Sequence, residues 1–478
     1  MTVQGTPIGS AVASPTKAFF VRMLTRDIEL PDAILDLLDN CIDGIVRAKG
    51  SGASEKPYDG FRATITMAPD HFVIEDNCGG IPFAIARDYA FSMGRPPAAP
   101  DDGTSSTIGM YGIGMKRAIF KLGTRALVES WHDTGFIVEF SPEWMESDRW
   151  DNLPMYELPP DRLPDRGTKI EVYDLNDEVR AALSDPTWVD EFRKTIARHY
   201  SIIISKGFSV SVGTPAELRA GLAPIAAEDF KLLQTASDAS GNRIAPYIFV
   251  GRIGDVEVEI FAGLYRKLLT EEEAEVEEET RGTSDDAGWT VACNDRVVIW
   301  KDKTRLTGWG EATVPNYHGQ FIAITGIVLM RCDDPKKLPL TTTKRGIDAA
   351  SNVYSEVKDL MRDATKNLTS FTYRWKKFPD RLDEIYRSAE YVPLPQLRSL
   401  PSTLSMQASR KSHDVRKFEP QYPLPEQEKT SVRVSFLALK IDVSTLAQHY
   451  FERIQVKPGE VGEAAFKAEL KRVREQKK

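Results

Sequence analysis

Long apolar runs are missing from this 478-residue chain. No stretch approaches the ~18 residues that a spanning helix needs, so no membrane crossing is expected. Cysteine is scarce: Cys41, Cys78, Cys293 and Cys332 lie far apart, with no C-x-x-C pair. That argues against a zinc site or a disulfide framework and points to a reducing compartment. The run Ala18-Phe19-Phe20-Val21 meets Arg22 at once, too short for the core of a signal peptide. Together these absences predict a cytoplasmic protein. There is also no excess of positive charge. The net −8 argues against a chain that coats nucleic acid over its whole surface, while a local basic patch stays possible. What is present is ordinary globular composition, 41% hydrophobic and 28% charged, in a chain long enough for roughly two to four cores.

The richest stretch is 32–47. Ile34, Leu37, Leu38, Cys41, Ile42 and Ile45 recur at helical spacing and predict one buried stripe. Asp36, Asn40, Asp43 and Arg47 recur on another face. A carboxylate and an amide one turn apart can hold a hydrated divalent cation and a water. A solvated face of an amphipathic helix gives the same spacing.

Alternating residues at 61–67 and 71–75 predict a β-hairpin whose second strand runs into Asp76-Asn77-Cys78-Gly79-Gly80-Ile81. Two glycines after a strand let backbone approach a flat ligand, and Asp76 offers an acceptor to an exocyclic amine. A plain turn has the same composition. Residues 94–107 lack periodicity and read as a loop, which ends at Gly109-Met110-Tyr111-Gly112-Ile113-Gly114-Met115-Lys116 before an apolar helix. Free backbone N–H groups and a helix dipole attract anions there, and Lys116 adds a point charge. It is neither a Walker loop nor a dinucleotide fingerprint, because the glycine spacings differ. Strands follow at 124–131, 135–140 and 167–174, the last carrying Gly167-Thr168, and a helix at 188–205 closes the region.

These four blocks, in this order, resemble the GHKL ATPases: gyrase, ninety-kilodalton heat-shock chaperones, histidine kinases and MutL. The Tyr111 and Lys116 variant is most similar to the MORC (microrchidia) branch. The resemblance covers roughly residues 16–390 and implies an α+β fold: a Bergerat-type α/β sandwich ATPase domain, a transducer-like α/β domain, and a small helical C-terminal element. It implies ATP and Mg²⁺ as cofactors. Asp36 would activate the attacking water, Asn40 would hold Mg²⁺, and Asp76, with a water near Thr168, would read adenine beside Gly80 and Ile81. Gly109, Tyr111, Gly112, Ile113, Gly114, Met115 and Lys116 would wrap the triphosphate, with Asp43 and Arg47 supporting the helix. Two departures stand out. Asp36 takes the place of the usual glutamate, one methylene shorter, which leaves the hydrolysis rate open. Cys78 replaces a glycine, so the backbone there should avoid positive φ.

Residues 207–330 read as strand-rich, with Asn294-Asp295 as a hairpin signal. The acidic stretch 271–286 reads as a solvated loop, with a regulatory or basic-partner surface as the alternative. Leu338-Pro-Leu-Thr-Thr-Thr-Lys344-Arg345 and the helix after it resemble the transducer loop whose lysine senses the γ-phosphate; Lys344 is that candidate, Arg345 the second. The expected division is an arm at 1–15, ATP-binding domain 16–205, transducer-like domain 206–390, Pro-rich linker 391–428 and C-terminal element 429–478. The tail from Lys467 to Lys478 is basic and reads as a solvated helix end or a phosphate-backbone contact.

The resemblance implies an ATP-dependent homodimer closed by Mg-ATP but does not name its client; MORC and MutL relatives act on DNA, which favours DNA as a partner in remodelling, repair or genome defense, beside other proteins of its pathway and no membrane. A chaperone-like ATPase for protein clients and a nucleotide-binding switch with little hydrolysis are the alternatives. A histidine kinase is excluded because no His precedes the site in a helical hairpin. Gyrase-like strand passage is excluded because no domain with a cleavage tyrosine is present.

Overall fold

The computed structural model describes residues 16–49, 55–92, 113–237, 241–269, 286–341, 346–376, 378, 381–402, 404, 406–409, 412–425 and 434–476. The arm 1–15, Gly109, Tyr111, Gly112, residues 271–285, Lys344 and Arg345 lie outside them. The chain falls into two compact units, Met1–Pro425 and Glu426–Lys478.

The larger unit opens with helix α1 (Lys17–Arg26), whose N-cap Thr16 accepts from the Phe19 amide. Helix α2 (Leu30–Lys49), strands β1 (Arg62–Met67) and β2 (His71–Asp76), and helix α3 (Gly114–Leu122) follow. Strands β3 (Gly123–Trp131), β4 (Gly135–Phe140), β5 (Met155–Glu157) and β6 (Gly167–Leu175), helix α4 (Pro186–His199) and strand β7 (Ser209–Gly213) complete the first layer pair. The sheet order is β5-β4-β3-β6-β2-β1-β7. β1 and β7 are parallel, and the hairpin β1–β2 is antiparallel, pairing Ile65 with Ile74.

Period-two alternation puts Ala63, Ile65, Met67, Val128 and Val172 on one face, where they share a core with Ile34, Leu38, Ile42 and Ile45 of α2. Each fully buried side chain of this size stabilises by about 1.5–3 kcal/mol. The other side of α2 is not a solvated face: Asp36, Asp39 and Asp43 are 3%, 1% and 5% exposed. Carboxylates stay in such surroundings only with partners. The helix expected over 188–205 breaks at Tyr200, beyond which a separate turn spans Ser201–Ser205. The Tyr200 hydroxyl donates to Leu35 O at 3.0 Å and to Asp39 Oδ1 at 2.5 Å, so the break delivers a partner to α2.

The second layer comprises β8 (Lys231–Gln234), β9 (Tyr247–Ile253), β10 (Val256–Leu264), β11 (Gly288–Cys293), β12 (Arg296–Asp302), β13 (Ile324–Arg331), helix α5 (Asn352–Trp375), β14 (Glu390–Pro393), β15 (Gln407–Ser409) and β16 (Ser412–Phe418). Seven strands run in the order β12-β11-β13-β10-β9-β16-β15. Asn294 and Asp295 take φ of +46° and +67°, the backbone a tight two-residue hairpin needs. Tyr354, Val357, Met361, Ala364, Leu368, Phe371 and Trp375 form an unbroken buried stripe along α5 against this sheet. Ile248, Phe261, Ala292, Val297 and Ile327 are buried in a separate cluster.

In the stretch read as a Pro-rich linker, the described residues up to Pro425 include paired strands. β14 pairs with β8, and β16 pairs with β9. The prolines mask the apolar residues between them: Leu397 is fully buried, Tyr422 packs on Phe371 at 4.9 Å, and Pro423 O accepts from the Trp375 indole at 2.9 Å.

In the smaller unit, α6 (Lys440–Phe451) and α7 (Pro458–Gln476) bury only Ala447 and Val461 among their described side chains. Phe436, Ile441, Ile454 and Phe466 are exposed. Overall the fold is α+β, and no described helix is long and apolar enough to cross a membrane.

Candidate functional site

The site forms where α2 meets the loop after β2, the first turn of α3, and the start of β6. Helix and loop approach closely because Gly44 has no side chain: a Cβ there would lie 2.5 Å from Cys78 O. On this contact Cys41 Sγ reaches Asp76 Oδ2 at 3.4 Å, while Oδ1 accepts from the Cys78 amide at 2.7 Å. Burial pushes the Asp76 carboxyl up to about 6, against the pull of these donors. The loop then turns through Gly79 (φ +96°) and Gly80 (φ +68°), whereas Cys78 keeps negative φ. At Gly80 a Cβ would meet Trp131 O at 2.1 Å, so both conformation and space require glycine.

The strand register sets Thr168 opposite Asp76. Ser130 links the two sides: its Oγ lies 3.0 Å from Thr168 Oγ1 and accepts from the Ile81 amide at 2.9 Å. His132 Nδ1 is 2.6 Å from Gly79 O. A carboxylate, two hydroxyls and loop backbone at one strand end are a donor–acceptor set suited to a flat heterocycle.

On the opposite side of α2, Asp36 is ion-paired with Arg117 of α3. The Asp36 carboxylate also lies 3.5 Å from where a Gly114 Cβ would stand. Gly114 and Arg117, three residues apart, therefore share the α3 face that meets α2. Lys116 points elsewhere: it is 2% exposed, donates to Ala90 O at 2.7 Å, and burial lowers it to about 8. Met115 is buried beside it, and Ile113 stands at the helix N-cap. Asn40 is half-buried on α2, one turn from Asp36, and Asp43 is buried one turn further.

Asp76, Gly80, Ile81 and Thr168 thus gather where the loop after β2 meets α2, and Asp36 meets Gly114 on the other side of the same helix, which also carries Asn40. Gly109, Tyr111, Gly112 and Lys344 lie outside the described residues. The base of the Lys344 loop is described, and it is pinned by a Leu340–Ile347 bridge and by Thr341 N donating to Gly346 O at 3.2 Å. Sequence reasoning missed Ser130, His132, Arg117 and Asp39. Arg117 had a signal, since it lies three residues past Gly114. Ser130 had none, because only strand pairing brings it to Thr168.

Among the described residues no three His, Cys, Asp or Glu side chains converge as a metal cage. An octahedral Mg²⁺ here would take Asn40 together with ligand oxygens and water, which is that ion's usual manner of binding with phosphates. A separate cleft of about 460 Å³, lined by Arg198, His199, Trp300 and Asp302 among others, lies between α4 and β12. No protein-family model matches the chain, and no curated protein is significantly similar to it.

Proposed function

We propose that this chain is an ATP-binding and ATP-hydrolysing clamp of the GHKL type, working as a homodimer on DNA. The supporting observation is convergence. Four blocks spread from Asp36 to Thr168 meet around one helix, with Asp76 and Arg117 held at opposite ends of the α2 contact. Helix α2 shares its core with a sheet of order β5-β4-β3-β6-β2-β1-β7, and this helix-on-sheet packing supports the reading as a sandwich of helices on a sheet.

In this reading Asp76 accepts from the adenine amine, and Ser130 and Thr168 order the neighbouring water. The α3 N-terminus and Arg117 face the phosphates. Asn40 holds Mg²⁺, which supplies charge neutralisation on the phosphate oxygens. Asp36 orients water and accepts its proton. Lys344, outside the described residues, is the candidate sensor of the γ-phosphate.

Steady-state turnover with and without duplex DNA tests this. Turnover stimulated by DNA, and lowered ~10²–10⁴-fold in Asp36→Asn with ATP still bound, is the expected result. A variant that hydrolyses at the parental rate would remove Asp36 from the chemistry. DNA-independent turnover would favour protein clients.

A further inference from the structure

We infer that Arg117 is a phosphate-responsive latch on Asp36, for which the carboxylate and the terminal phosphate of a nucleoside triphosphate compete. This rests on the nucleotide-site reading and goes beyond it, because the cation involved is not the expected Lys116.

Lys116 is committed to Ala90 O and buried, so it is not the charge that meets α2. Arg117, the next residue, is turned by about 100° to the face shared with Gly114 and contacts Asp36 instead. The pair is well shielded, with side-chain exposures of 11% for Arg117 and 4% for Asp36. Its guanidinium is not saturated: Arg117 Nε is buried and has no hydrogen-bond partner. A planar five-donor fork with a spare buried donor, at the opening of a helix, suits a phosphate better than a single carboxylate.

The consequence for the chemistry is direct. While Arg117 holds the Asp36 oxygen, that oxygen cannot take a proton from water. A triphosphate that draws Arg117 away frees Asp36 at the moment a substrate is present. A diphosphate, with one anionic group fewer, draws it less. The site is thereby silent when empty and armed when filled.

A purely structural ion pair makes the opposite prediction, because breaking it only loosens α2 from α3. Binding of a non-hydrolysable ATP analogue and of ADP, each with Mg²⁺, to the full chain separates the two. The proteins are the parent, Asp36→Asn, Arg117→Gln, Arg117→Lys and the Asp36→Asn/Arg117→Gln double variant, with thermal unfolding run on each.

The latch predicts that Asp36→Asn binds the triphosphate analogue more tightly, by ~5–150-fold as for ordinary coupled sites. ADP should gain less. Arg117→Gln should weaken the triphosphate and abolish the gain from Asp36→Asn, and Arg117→Lys should keep part of it. The latch is overturned if Asp36→Asn brings no gain, or if the gain survives in the double variant. Should the parent bind neither nucleotide, the nucleotide-site reading itself fails and takes the latch with it. Should Arg117→Gln not fold, Asp36→Asn and Arg117→Lys still decide the case, since neither removes charge and bulk from α3 together.

Discussion

Arg296 of β12 donates its Nε–H to Asp39 Oδ1 of α2 at 3.0 Å, joining the second sheet to the helix that carries the candidate site. Both side chains are almost fully enclosed, at 3% and 2% exposure. The arginine also donates to His199 O and Val297 O and lies 4.3 Å from the Tyr200 ring centroid. One residue earlier, Asp295 binds Lys206 at 2.6 Å, Arg331 at 2.8 Å and Tyr58 at 3.1 Å. A single hairpin tip thus carries two charged anchors into the first layer.

Arg296→Met leaves Asp39 buried without its cation. The expected loss is ~3–5 kcal/mol of unfolding free energy in denaturant titration. Combining it with Asp39→Asn should cost less than the sum of the singles, because the stranded charge is gone. Additive losses would mean that the two residues are energetically independent.

Asp76 gives a pH signature. Its carboxyl titrates near 3.8 in the unfolded chain and at about 6 in the fold, where burial disfavours the charge. The folded state therefore binds the proton more tightly, and stability falls as pH rises from about 4 to about 6, then levels off. Asp76→Asn removes that loss. Near neutral pH the variant should be more stable by on the order of 2 kcal/mol, less than the full shift implies because the group keeps some solvent contact. Adenine-nucleotide binding should weaken at the same time. A melting temperature that varies with pH equally in both proteins would assign the titration to another group.

Helix α1 lies against its own chain. Lys17 of α1 donates to Trp144 O at 2.6 Å and sits 3.7 Å from that ring's centroid; Phe20 packs edge-on against Trp150. Any exchange of α1 between subunits must first break this dock. Trp144→Ala should speed tryptic cleavage after Arg22 and Arg26, and should raise the dimer fraction that sedimentation finds with a non-hydrolysable ATP analogue. Unchanged cleavage would show that α1 is held by other contacts.

Lys344→Ala is expected to slow turnover by ~10²–10³-fold while leaving ADP affinity nearly constant, since only a γ-phosphate meets the sensor. Arg345→Ala should be milder. Equal loss of ADP and ATP binding would reduce the loop to a support of the fold.

Local pattern was legible where one face of an element meets the core. The alternation at 71–75 ends at Asp76 as expected, and the apolar stripe of α2 is buried as its spacing implies. What spacing could not convey was the second burial of α2. Asp39 carried no signal of its own, because its partners Tyr200 and Arg296 arrive from distant parts of the chain. The same limit hid the order in 391–425. Prolines there suggested an extended spacer, while the strand partners that hold it, β8 and β9, lie far upstream. Lys116 and Arg117 illustrate the finer limit: adjacent cations on a helix face different neighbours, and only packing decides which one meets the carboxylate.

The span of 257 residues between Asp39 and Arg296 also orders events during synthesis. At ~5–20 residues per second, α2 leaves the ribosome roughly 13–50 s before its arginine does. Over that interval Asp39 lacks the Arg296 guanidinium that meets it in the native fold. The helix that carries the candidate site is therefore made well before it is secured, which makes the β11–β12 hairpin the step that commits the larger unit to its native form.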